Sequence, residues 1–132
     1  MISLDLARRL QDTDVGWTPS AGDRFMIPDR TDDEVFTVSD MVVEAQDLPT
    51  GRRFDFNGTT EWALDSIPHD EVVWLPREDQ LRCLLGEAFV SMNPTPGGFV
   101  VVISRDGREE RHIDIDAECA YARAVLAVRA AA

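Results

Sequence analysis

The chain has 132 residues, 44% of them hydrophobic, and a formal net charge of −12, with 25 acidic side chains against 13 arginines and no lysine. That length and apolar content suit one ordinary domain with its own core, and apolar residues recur along the whole chain, which excludes disorder as the dominant state. No apolar run approaches the ~20 residues of a membrane span, and the acid excess has the wrong sign for docking on nucleic-acid phosphates or on an anionic membrane surface.

The acid is unevenly spread. Residues 1–70 hold 15 acids and 6 arginines, and residues 71–132 hold 10 acids and 7 arginines. The first residues, Met1-Ile2-Ser3-Leu4-Asp5, lack the basic start and apolar stretch of a secretion signal, so a cytoplasmic setting is expected. The arginine-only, alanine-rich usage suggests a high-GC bacterial source.

In chain order, Ser3 is placed to cap a short helix with Leu4, Ala7 and Leu10 on one face, ended by residues 12–14 and Gly16. A loop leads to a short strand over 24–27, closed by Pro28, and the charged stretch 29–34 reads as a turn. Strands over 35–38 and 41–45, a turn over 48–51, and an alternating strand over 52–56 follow. Thr59 or Thr60 is placed to cap one or two helical turns carrying Trp62, Ala63 and Leu64. Short strands joined by tight turns suggest a small curled antiparallel sheet, SH3-like in outline.

The second half opens with an apolar strand over 72–75. Pro76 at a helix start, Glu78 and Asp79 in the first turn, Leu81, Leu84 and Leu85 on one face, and Gly86 beyond predict a helix. A strand over 88–93, a loop over 94–98 and a central apolar strand over 99–103 come next. Asp106-Gly107 is a hairpin turn. It returns the chain through residues 109–115, whose even positions are polar and whose Ile113 and Ile115 are apolar. Asp116 then caps a C-terminal helix bearing Tyr121, Val125, Leu126 and Val128. The fold class is therefore α+β with mainly antiparallel sheet: a small curled β first half, then helix, β-hairpin and helix. Residues 1–132 are expected to form a single domain, with residues 67–70 the one seam, between a β-rich 1–68 and a helix–hairpin–helix 69–132.

At Trp62-Ala63-Leu64-Asp65-Ser66 and at Trp74-Leu75-Pro76-Arg77-Glu78-Asp79-Gln80-Leu81 the sequence resembles a group of small actinobacterial proteins of unknown function. Some of these carry the label of CpaE-type pilus-assembly proteins. The resemblance runs from Trp17 to the last helix and implies a compact cytoplasmic domain. It implies no catalytic residue. A nucleotide-binding loop ending in Gly-Lys has no place in a chain without lysine.

Each chemistry-bearing residue also has a structural role open to it. His69 and His112 are the only histidines, and neither shares a zinc-ligand spacing with Asp70, Glu71 or Asp114. His112 fits the solvated side of its strand, between Glu110 and Asp114. The turn 29–34 lacks the alternating ligands and central glycine of a calcium loop. Ser39, Ser66, Ser91 and Ser104 lack the glycine-flanked setting of a nucleophile elbow. Cys83 and Cys119, on helical segments among apolar residues, read as small buried hydrophobes rather than a disulfide or a nucleophile. Trp62 and Trp74, with Asp65 and Asp70 near them in sequence, outline a possible aromatic cleft with acids at its mouth, as glycoside hydrolysis would need. Core anchoring is the simpler role for both rings.

No catalytic residue, cofactor or metal is expected. The first functional expectation is a non-catalytic interaction or regulatory module meeting a basic protein partner through Asp29, Asp32, Asp33, Glu34, Asp40, Glu44 and Asp47. The alternatives are a small enzyme or ligand-binding protein using the Trp62–Trp74 cleft, and a structural subunit self-associating through an exposed sheet edge.

Overall fold

A computed structural model of the chain describes residues 1–28, 35–38, 43–48, 51–56, 66–68 and 72–130. Its elements are α1 (Leu4–Gln11), β1 (Arg24–Met26), β2 (Val35–Thr37), β3 (Val43–Leu48), β4 (Gly51–Phe56), β5 (Ser66–Pro68), β6 (Val73–Leu75), α2 (Glu78–Leu85), β7 (Phe89–Thr95), β8 (Gly98–Arg105), β9 (Arg108–Asp114) and α3 (Ala117–Ala130). The fold is α+β, and the pairs β1–β2, β3–β4, β4–β5, β7–β8 and β8–β9 are all antiparallel. The chain divides into two compact units, Met1–Gly16 with Leu75–Ala132, and Trp17–Trp74.

The discontinuous unit is built on the sheet β7-β8-β9. Its central strand is apolar on both faces, and Val100, Val101, Val102 and Ile103 are all buried. Asp106 (φ 51°) and Gly107 (φ 79°) both take the left-handed region and close the β8–β9 hairpin in two residues, the pattern that matches strand twist. Helix α3 packs on β8 and β9, and α1 and α2 pack in turn on α3. The Ser3 hydroxyl accepts a hydrogen bond from Leu6 N–H at 3.2 Å to cap α1. Arg77 N–H donates to Gln80 Oε1 at 2.9 Å at the start of α2. At the start of α3, Asp116 Oδ1 accepts from Cys119 N–H at 3.0 Å. Leu6, Leu10, Leu81, Leu85, Val101, Ile103, Tyr121 and Val125 form the apolar interior.

In the unit Trp17–Trp74, β1 lies between β2 and β6, and β4 lies between β3 and β5. Trp17, Phe25, Ile27, Val38 and Val72 cluster, with Phe36 and Trp74 packed against them. The indoles of Trp17 and Trp74 stack at 5.9 Å, 3° from parallel. Asp23, 2% exposed, lies in the same region. Leu48 opposite Gly51 closes the β3–β4 hairpin, and Phe54 opposite Ile67 places β5 on its far side. The sequence signalled no strand over Ser66–Pro68, because three residues are too few to show alternation.

Three expectations need correction. The loop over 94–98 is strand up to Thr95, and the turn is only Pro96-Gly97, with Thr95 paired to Gly98. Pro94 is tolerated because β7 is an outer strand, where a missing N–H need break no ladder bond. Cys83 is exposed, while Cys119 is buried; at 100° per residue, position 83 falls opposite the buried Leu81 and Leu85. Finally, β9 presents the opposite face to that expected. Ile113 and Ile115 are 61% and 82% exposed, while Glu110, His112 and Asp114 lie on the side that α3 covers.

Candidate functional site

The α3-facing side of β9 carries a line of charged contacts. Arg105 on β8 makes an ion pair from Nε to Glu110 Oε2 and donates from Nη1 to the carbonyl of Ala127 in α3 at 2.8 Å. Arg123 of α3 donates from Nε to Asp114 Oδ2 at 2.9 Å, and Asp116 N–H donates to Asp114 Oδ1 at 3.1 Å. The Arg105 hydrogen bond holds the Glu110 carboxyl below its usual range. Burial pushes Asp114 upward, but its bonds to Arg123 and Asp116 outweigh that and hold it low. Between the two carboxylates, His112 turns a buried Nε2 inward with no hydrogen-bond partner among the described residues. Burial depresses its pKa, and the Arg105 and Arg123 charges add to this against the opposing pull of Glu110. These groups tie strand to helix. A hollow of about 670 Å³ lies beside them, lined by Arg105, Asp106, Arg108, Glu109 and Glu110, and within it Glu110 is held by its Arg105 ion pair.

A second hollow, with a more apolar lining, lies where α2, β7 and α3 meet. Glu78, Asp79, Arg82, Cys83, Gly86, Phe89 and Tyr121 line this hollow of about 590 Å³, a size that suits a small ligand. Its floor is a ladder of flat groups. The Arg82 guanidinium lies 4.2 Å from the centre of the Phe89 ring, and Phe89 stacks on Tyr121 at 6.0 Å. Burial pushes the Tyr121 phenol above its ordinary pKa, and the Glu78 carboxylate adds to the shift. The hollow therefore offers apolar and aromatic wall, two carboxylates at the rim and one thiol, Cys83. No described histidine lines it, so Cys83 has no imidazole there to take its proton.

Glu118, in the first turn of α3, bridges two other segments of the chain. Its Oε2 accepts from Glu78 N–H at 3.2 Å and its Oε1 from Ile2 N–H at 3.1 Å, which satisfies an amide at the α2 start and one ahead of α1. Sequence reading did not single out Glu118; the only signal was an acid in the first turn of a helix.

Of the residues singled out from the sequence, Trp74 packs on the Trp17 cluster. Glu44 and Asp47 lie on β3, opposite Asp55 and Arg52 in the register with β4. Asp29, Asp32, Asp33, Glu34, Asp40, Trp62, Asp65, His69 and Asp70 lie outside the described residues. Among the described residues no three His, Cys, Asp or Glu side chains gather as a metal site would require, and no helix is long and apolar enough to cross a membrane. Family models, curated proteins and solved structures were compared with the chain, and none matches it.

Proposed function

We propose that the chain is a non-catalytic interaction module that engages a basic protein partner from a reducing, cytoplasmic setting. The observation that carries this reading is the use made of the arginines. Arg77 pairs with Asp79, Arg105 with Glu110, Arg123 with Asp114 and Arg129 with Asp14. These cations are engaged within the chain, so the surplus behind the net charge of −12 is left for an outside partner. The surplus is greatest before residue 71, where Asp29, Asp32, Asp33, Glu34, Asp40, Glu44 and Asp47 fall. Carboxylates at that density steer a cationic surface into encounter, and the attraction weakens with salt.

The test is affinity capture from host extract with the wild type and with a D32R/D33R/E34R variant. One specific basic protein retained at low salt, released at high salt and lost with the variant supports the reading. Failure to retain any specific protein at low salt sinks it.

A second reading, a small-ligand binder, is favoured by the hollow at Phe89 and Tyr121. Its aromatic wall and acidic rim suit an organic cation with a flat ring. A thermal-shift screen with aromatic amines tests it: a ligand bound to the native state raises the melting point, and F89A must abolish the rise.

A further inference from the structure

The outer strands β7 and β9 of the β7-β8-β9 sheet are built differently. Strand β7 has its pairing shifted between Phe89 and Ser91 and carries Pro94 within the strand. A bulge and a proline are two devices by which natural sheets stop an outer strand from adding another. Strand β9 has neither. Its seven residues pair with β8 without a register shift, from Phe99 opposite Asp114 to Arg105 opposite Arg108. Among the described residues, nothing pairs with its outer side.

The solvent face of β9 is also unusual. Even-numbered residues turn toward α3, as the Arg105–Glu110 and Arg123–Asp114 contacts require. Glu109, Arg111 and Ile113 therefore share the other face, and all three are exposed. Ile113 is 61% exposed, and Ile115, just past the strand, 82%. Strand-forming, β-branched residues held in water at an edge without bulge or proline fit a surface that is covered in use.

The order of charges identifies what covers it. When two copies of β9 run antiparallel about a two-fold axis at Glu110, residue 109 of each lies opposite residue 111 of the other. Glu109 then faces Arg111 twice, once on each side of the axis, and Ile113 of each copy lies opposite the small Gly107 of the other. Directly opposed unlike charges are the favourable cross-strand pair, and like charges the unfavourable one. On the α3 side the axis brings Glu110 to Glu110, where each carboxylate already holds its own Arg105. The edge is complementary to itself, as an isologous contact must be.

We infer that the chain forms a two-fold dimer by edge-to-edge pairing of β9, giving one six-stranded antiparallel sheet. The contact is independent of the basic partner proposed above, since it uses the other unit of the chain. A short strand pair covers a small area, so association is weak and lies in the micromolar range.

Sedimentation velocity from about 1 to 500 μM reads it, a range that spans affinities of that order. The wild type must shift from monomer toward dimer. R111E places four carboxylates on the solvent face of the axis and must weaken association by about tenfold or more. The double variant E109R/R111E exchanges the two signs and must restore it. All substituted side chains are exposed, so circular dichroism should show an unchanged fold. A wild type that stays monomeric throughout overturns the inference, as does an R111E dimer of unchanged affinity or a double variant that stays as weak as R111E.

Discussion

The indole Nε1–H of Trp17 donates a 2.9 Å hydrogen bond to Oδ2 of Asp23, a carboxylate only 2% exposed to solvent. The same oxygen accepts from Ser20 N–H at 3.1 Å. A buried carboxylate is tolerated when donors compensate the water it has lost. Asp23→Ala leaves three donors, the Trp17 indole and the amide and hydroxyl of Ser20, without this acceptor and is expected to destabilise the Trp17–Trp74 unit by about 2–3 kcal/mol. Urea titration followed by tryptophan fluorescence measures this, and a loss under about 0.5 kcal/mol would mean the bond is dispensable.

Gly98 begins β8 where the β9–α3 connection crosses closest. A Cβ built there collides with the carbonyl oxygen of Asp114 and crowds the Asp114 carbonyl carbon and Ile115 Cα, all backbone atoms, so no flexible side chain is there to yield. Gly98→Ala is expected to cost about 1–3 kcal/mol, the range for forced overpacking. Gly97, one residue earlier, has open space around its Cβ position but a φ of +89°. Gly97→Ala should cost about 1–2 kcal/mol for the left-handed backbone alone. Denaturant midpoints of the two variants check both values.

The two faces of the sheet differ in energy as well as exposure. Ile103 is fully buried against the helices, and Ile113 stands in water. Ile103→Ala is expected to lose about 2–5 kcal/mol, and Ile113→Ala under about 0.5 kcal/mol when measured on the monomer. Comparable losses at the two positions would show that β9 is turned the other way.

His112 makes stability depend on pH with a definite sign. Its folded pKa lies below the ordinary value of 6.5 because burial disfavours the imidazolium. Between the two values the unfolded chain binds more protons, so stability rises with pH there. The His112 contribution should therefore be fullest above about pH 7, decline as pH falls through 6.5, and level off below the folded pKa. His112→Gln must flatten this segment of the stability–pH curve. An unchanged curve would assign the dependence to another group.

The thiols should separate cleanly. Cys83 is exposed, while Cys119 is buried and its thiolate is disfavoured by that burial. In native protein, a thiol reagent such as DTNB is expected to label Cys83 alone, with Cys119 reacting only on unfolding. Equal rates in native buffer would refute this.

What the sequence revealed follows the strength of local signals. Helix α2 was legible because Pro76, two first-turn acids and Gly86 all agree, and the Asp106-Gly107 hairpin because only a few residue types accept that backbone. The orientation of β9 was not. Its isoleucines alternate with polar residues as core positions do, and alternation alone cannot say which set faces a helix that arrives later in the chain. Cys83 was misjudged by its apolar neighbours in sequence, although its angular position opposite Leu81 and Leu85 was available. The Glu118 bridge was beyond reach, since its amide partners lie 116 and 40 residues away. The hollow at Phe89 and Tyr121 depends on the same kind of long-range meeting between α2 and α3.

The stacked indoles of Trp17 and Trp74 have a topological consequence. They stand at the first and last residues of the unit they clasp, so the chain leaves its scaffold and comes back almost to the point of departure. Such a detour has the topology of an insertion, entered and left at neighbouring points of the chain, the arrangement by which a domain with adjacent ends joins a host sequence.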